Sequence, residues 1–356
     1  MKVSKSLIAS AALLAIAPLA QAQVKSDGLL EIYGRASFSV DQLDDGASYK
    51  RNNLSSNASR LGFKGSKPIG NLTGIWQIEQ EIQINLNNAT GDTNNRLASR
   101  DTFAGLQGNF GTVRAGKFDT PFKTAREPFN LFGDQLGDMR NLTRVGEAKF
   151  DERLNNMLEY QSPVMNGFQA KVAYSFHSGT SATNSGAVEK KEDATSASLG
   201  YKAGGLEAAL AFETYGADTA TTGKREATRA SISYKLTPEL RLMGFYQTDD
   251  TMNGSTPLGA DVTGLGLEYM ITPTVALKGH YMDRKAKAAN SDASMYTLGA
   301  EYRYDKALRF YASYASLDNG TAVKLVPWKE GRTAAPSAGT NGKTTSGVSI
   351  GMRYDF

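Results

Sequence analysis

The chain has 356 residues, no cysteine, 40 basic against 36 acidic side chains and a formal charge of +4. These numbers exclude disulfides and thiolate metal sites, and they give no basis for a nucleic-acid partner. No run approaches the ~18 consecutive apolar residues of a membrane helix. The 36 glycines, 16 tyrosines and 15 phenylalanines fit many short strands joined by turns.

Lys2 and Lys5 precede an apolar run at 7–17, and Ala20-Gln21-Ala22 has the small residues of a cleavage site. Residues 1–22 therefore read as a signal peptide, leaving 23–356 as the exported domain. The mature start alternates with a period of two. Leu30, Ile32, Ala36, Phe38 and Val40 interleave with Glu31, Tyr33, Arg35, Ser37 and Asp41. A water-filled barrel turns such a polar face inward and its apolar face to lipid. The even-numbered residues are thus expected to face lipid or a neighbouring subunit.

The same signature recurs at 61–65 and 104–108, then at 168–176, 197–201, 206–212, 230–236 and 240–246. It continues through 265–269, 275–281, 296–304, 308–314 and 348–356, and with 72–84, 113–117 and 153–161 the segments number about sixteen. An even count is what a bacterial barrel requires. Short connections follow Tyr201, Tyr234, Tyr269 and Tyr302, where an aromatic girdle belongs. Long polar connections are read at 42–57, 85–98, 177–193 and 317–345. Short turns on one rim and long loops on the other describe a transmembrane antiparallel β-barrel, an all-β fold.

Residues 117–149 break this rhythm. Phe118, Phe122, Phe129, Leu131, Phe132, Leu136, Met139 and Leu142 all need cover, and charges of both signs run between them. A loop this long and apolar is expected to fold against the inside of the barrel, apolar residues on the wall and charges toward water. The chain then ends on an alternating strand, Met352-Arg353-Tyr354-Asp355-Phe356.

Taken together, Glu31-Ile-Tyr-Gly-Arg35, Ser59-Arg60-Leu-Gly-Phe-Lys-Gly65, Phe110-Gly-Thr-Val-Arg-Ala-Gly-Lys117, the run at 153–163 and the terminal Arg353-Tyr-Asp-Phe356 resemble the general diffusion porins of Gram-negative outer membranes, the beta-proteobacterial type above all. The resemblance implies sixteen strands, a homotrimer and a third long loop, here 119–149, folded into the lumen as a constriction. It also implies a basic row, Arg35, Arg60, Lys117 and Arg153, facing loop acids Glu127 and Asp134. Lys117 stands where the family has arginine, which keeps the charge and loses the planar fork. Arg35 and Arg60 fall on the polar parity of their strands independently of the resemblance, with Glu79, Glu81 and Asp101 on the same face. Those arginines serve either as pore lining or as partners that stiffen the wall. By the same resemblance, outer-membrane lipid, lipopolysaccharide and the barrel-assembly machinery, through the Phe356 strand, are its partners.

His177 and His280 belong to no recognisable catalytic constellation, and no cofactor or metal motif is present. The expected function is a channel for small hydrophilic solutes and ions, with a weak anion preference and no enzymatic role. A substrate-specific channel and a structural or adhesive barrel are the alternatives.

Overall fold

The computed structural model describes residues 28–83, 99–145, 150–176, 193–216, 225–250, 252–253 and 256–356. The expected signal peptide, the connection at 85–98, His177 and most of 177–193 lie outside the described residues.

The first half of the wall comprises β1 (Glu31–Asp44), β2 (Lys50–Ser56), β3 (Arg60–Ile69), β4 (Leu72–Glu81), β5 (Thr102–Gly108), β6 (Gly111–Asp119), β7 (Arg153–Gln161) and β8 (Phe168–Ser175). The second half comprises β9 (Ala194–Ala203), β10 (Leu206–Tyr215), β11 (Arg225–Lys235), β12 (Leu240–Asp250), β15 (Ala260–Thr272), β16 (Val275–Ala286), β17 (Ala293–Arg303), β18 (Leu308–Asn319) and β19 (Thr345–Asp355). Between β12 and β15, β13 (Met252–Asn253) and β14 (Thr256–Pro257) form a separate small hairpin. Each wall strand pairs antiparallel with its neighbours, and β1 closes the ring on β19 from Arg35↔Asp355 to Asp44↔Ser346. Closure leaves no sheet edge, which is how a sheet satisfies its backbone in lipid.

Strands β2 and β3 share one position beside β1. Phe38 pairs with Ser56 and Arg35 with Arg60, so Asn57, Ala58 and Ser59 stand opposite only Ala36 and Ser37. This is a β-bulge, with Ala58 at φ 51. Counting β2 and β3 as one interrupted strand gives a closed sixteen-stranded barrel. The connection expected at 42–57 is correspondingly short. β1 runs to Asp44 and β2 begins at Lys50, because backbone pairing extends a strand regardless of its polar side chains.

Alternation divides the two faces as expected. Val40 is 58% exposed while its neighbours Ser39 and Asp41 are buried. Tyr234, Tyr269, Tyr302 and Phe356 are exposed near the short-turn rim, as an interfacial girdle requires.

The third loop begins at α1 (Pro121–Thr124), passes a 3-10 turn (Glu127–Phe129) and ends after α2 (Arg140–Thr143). Thr120 caps α1 by accepting from Lys123 N at 3.1 Å, and Pro121 suits the first helical position. The loop lies inside the barrel. Phe129, Leu131, Phe132, Met139 and Leu142 bury against Phe245, Val262, Met282, Met295 and Leu317 of the inner wall. At roughly 1.5–3 kcal/mol per buried side chain, this contact holds the loop down. Gly264 makes room for it, since a Cβ there would lie 2.6 Å from Phe129 Cζ.

Candidate functional site: a charged constriction

Polar anchors fix the loop's height in the lumen. Arg229 of β11, fully buried, donates from Nη1 and Nη2 to the two Asp151 oxygens at 2.7 and 2.6 Å and from Nη1 to Phe122 O at 3.0 Å. Burial alone would raise the Asp151 carboxyl, but Arg229 and Arg126 hold it below the ordinary range. Gln247 Nε2 donates to Thr143 O at 3.0 Å, and Lys278 Nζ to Leu131 O at 3.3 Å. His280 belongs to this seat, stacked on Phe129 and bonded to Thr297 at 3.1 Å.

The last loop, 320–344, also folds inward. Its carbonyl at Pro327 accepts from Gly137 N at 2.7 Å, and Asn141 Oδ1 accepts from Lys329 N and Glu330 N at 3.0 and 3.1 Å. Arg144 Nη1 reaches Glu330 at 2.6 Å, and Arg332 pairs with Asp41 of the wall. Trp328 and Val326 bury beside Leu43, Leu136 and Ala315. The long polar connection read at 317–345 thus turns inward from the rim, anchored by an apolar pair and several charges.

Between the two loops and β1, β3, β7 and β19 remains a polar cavity of about 560 Å³. Ten bases and seven acids line it. Of the expected row, Arg35, Arg60 and Arg153 are present, and both expected acids, Glu127 and Asp134, are there too. Asp134 lies 3.6 Å from Arg35 Nη1 and 2.7 Å from Arg140 Nη2. Burial would raise its pKa, but Arg140, Arg60, Arg35 and Arg100 outweigh that and hold it below the usual carboxylate range. Glu127 is the more open acid, with its side chain 62% exposed and Arg126 Nε 3.7 Å away. Arg153 is held by Asp101 and, at 2.7 Å, by Asp119. Arg60 approaches Glu79 at 3.6 Å. Several arginines thus pair with wall carboxylates and line the cavity at once.

Lys117 is not among the lining residues. A register shift between Gly116 and Phe118 interrupts the alternation at Lys117; Arg114 and Phe118 turn inward onto each other at 4.0 Å, and Asp119 turns to Arg153. Motif position pointed to Lys117, and the register shift beside it is not visible in sequence alternation. Sequence reasoning also missed Arg100, Arg353 and Arg332, and although it saw charges of both signs in the loop it named only loop acids for the constriction. In fact the loop brings Lys123, Arg126, Arg140 and Arg144 to the same cavity. Lys123 is buried 3.0 Å from Asp119, and burial pushes its ammonium down to about 8 against that carboxylate's pull.

A family model for Gram-negative porins matches residues 9–322. The chain belongs to the Gram-negative porins. It is 29% identical over 380 residues to outer membrane porin protein 32 of Delftia acidovorans, covering 99% of each chain. It is 27% identical over 312 residues to major outer membrane protein P.IB of Neisseria lactamica, covering 84% of this chain and 83% of that one. Among solved structures, the anion-selective porin from Comamonas acidovorans superposes with a TM-score of 0.77 at 23% identity, over 92% of this porin and 99% of that chain. Family and fold place the porin in the outer membrane as a channel for passive diffusion.

Proposed function

We propose that this porin's passage is set by the cavity between the third and last loops, with Arg35, Arg60 and Arg153 as wall bases and Asp134 and Glu127 as loop acids. The excess of lining bases over acids carries the reading, because low-dielectric walls focus that surplus on a narrow aqueous gap. Glu79, Asp101 and Asp355 stand behind the arginines, which keeps the anion preference modest. The working assembly is a homotrimer in outer-membrane lipid and lipopolysaccharide. It is exported through the 1–22 signal peptide and inserted by the barrel-assembly machinery through the Phe356 strand. Charges and water inside the pore serve passage rather than catalysis. Reconstitution in planar bilayers tests the reading. Steady open-channel conductance that rises when residues 121–144 are shortened supports it, and a conductance unchanged by that shortening contradicts it.

A further inference from the structure

Below the constriction, toward the short-turn rim, three arginines follow one another across the inner wall. Arg303 pairs in register with Arg309 across β17–β18, and Arg309 with Arg353 across β18–β19. Their strand neighbours Tyr302 and Phe310, and Ile350 three residues before Arg353, face outward, so all three arginines point into the lumen. Like charges directly opposite each other destabilise a sheet, so this row is maintained at a cost in stability.

The nearby carboxylates are already taken. Asp355 accepts from Arg35 Nε at 2.8 Å and from Arg353 Nε at 2.7 Å. Glu301 accepts from Arg303 Nε at 2.8 Å and from Lys278 Nζ at 2.8 Å. Arg309 is left 3.8 Å from Asp355 and 4.0 Å from Glu301, beyond hydrogen-bond reach of either. Among the described residues Arg309 donates no hydrogen bond, and Arg353 uses only its Nε. Both side chains are open to the lumen, 29% and 26% exposed. Three guanidiniums, those of Arg35, Arg309 and Arg353, thus share Asp355, with Asp134 at 3.6 Å from Arg35 and Glu301 at 4.0 Å from Arg309 as the more distant carboxylates.

We propose that Arg309 and Arg353, with Arg35 above them, form a binding site for a small divalent oxyanion on the short-turn side of the constriction. Two neighbouring guanidinium forks present parallel N–H donors that match an ion carrying several acceptor oxygens. A chloride ion has one centre and cannot bridge them in that way. Sulfate, hydrogen phosphate and short dicarboxylates share the required chemistry. The site rests on the anion preference proposed above and narrows it from anions in general to divalent ones held for a time in the pore.

The test is a planar-bilayer recording in potassium chloride with potassium sulfate added at fixed ionic strength. Sulfate is expected to reduce the wild-type current with saturation. Arg309→Gln should raise the half-blocking concentration about tenfold or more, as loss of a charge-assisted hydrogen bond implies. Arg353→Gln is a second variant expected to act in the same direction. Arg309→Lys, which keeps the charge and loses the fork, should fall between Arg309→Gln and wild type. A linear response to sulfate, or an Arg309→Lys channel blocked like wild type, overturns the site. The underlying reading is judged separately by the wild-type zero-current potential in a chloride gradient. A cation-sign potential together with saturable sulfate block would defeat that reading and still support the site.

Discussion

Gly331 of the last loop rests directly on Asp134 of the third loop. A Cβ on Gly331 would lie 2.4 Å from Asp134 Oδ1 and 2.6 Å from Arg140 Nη2, and its φ of +71 already favours glycine. The two inward loops therefore meet at the acid that faces Arg35. Gly331→Val is expected to undock the last loop, since the strained backbone alone costs about 1–3 kcal/mol. Open-channel current should become larger and noisier while circular dichroism still reports the β-sheet of the folded barrel. Quiet, wild-type-like current would mean that the contact does not hold the last loop in place.

The Arg229–Asp151 pair governs the third loop. Removing one partner of a buried pair costs about 3–5 kcal/mol, because the other charge is left unpaired. Arg229→Met is expected to loosen the loop and speed tryptic cleavage at Lys123 or Arg126. Adding Asp151→Leu should restore part of the protection, since Asp151 is then no longer buried without Arg229, although Arg126 loses its partner at 3.3 Å. Equal cleavage rates in wild type and Arg229→Met would show that the apolar seat suffices without the pair.

Lys117 and Arg60 separate the two ways of locating the constriction. Arg60→Gln removes a lining charge and should reduce the zero-current potential measured under a salt gradient. Lys117→Gln should leave that potential where it was. A larger effect at Lys117 than at Arg60 would restore the motif-based row and overturn the cavity described above.

Much of this architecture was legible from alternation. Val40 and Ser39 carry opposite burial on adjacent residues, and closure follows because lipid leaves a sheet no other partner. Loop burial was legible too, since Phe129 and Phe132 needed a seat that an exposed loop lacks. The interruption at Asn57–Ser59 was not legible, because β2 is Lys-Arg-Asn-Asn-Leu-Ser-Ser and shows almost no hydrophobic period. The inward last loop was hidden by its polar composition, although Val326 and Trp328 were a usable signal. Arg353 was visible on the inward parity of the last strand. Arg309 was visible in the same way, but register, which sequence does not show, sets them opposite each other.

Lys123 is expected to make the selectivity depend on pH. Its ammonium, pushed down to about 8 by burial, is faced by Asp119, with Arg153, Arg126 and Arg140 close enough to disfavour its charge further. As pH rises from 7 to 9, the lumen loses this one positive charge, so the anion preference should decline. Lys123→Met should show the lower preference already at pH 7 and little change between those values. An anion preference that is flat from pH 7 to 9 in wild type would remove Lys123 from the account.

In the proposed function, fixed charge in the cavity between the two loops sets the direction of ion preference. This is tested most directly by the wild-type zero-current potential under a potassium chloride gradient, recorded first in dilute salt and then in concentrated salt. The Debye length is about 10 Å at 0.1 M and about 3 Å at 1 M, so fixed charge should act across the gap in the first condition and much less in the second. The expected result is an anion-sign potential in dilute salt that shrinks toward zero in concentrated salt. A potential of cation sign, or one of the same size in both conditions, would contradict the account.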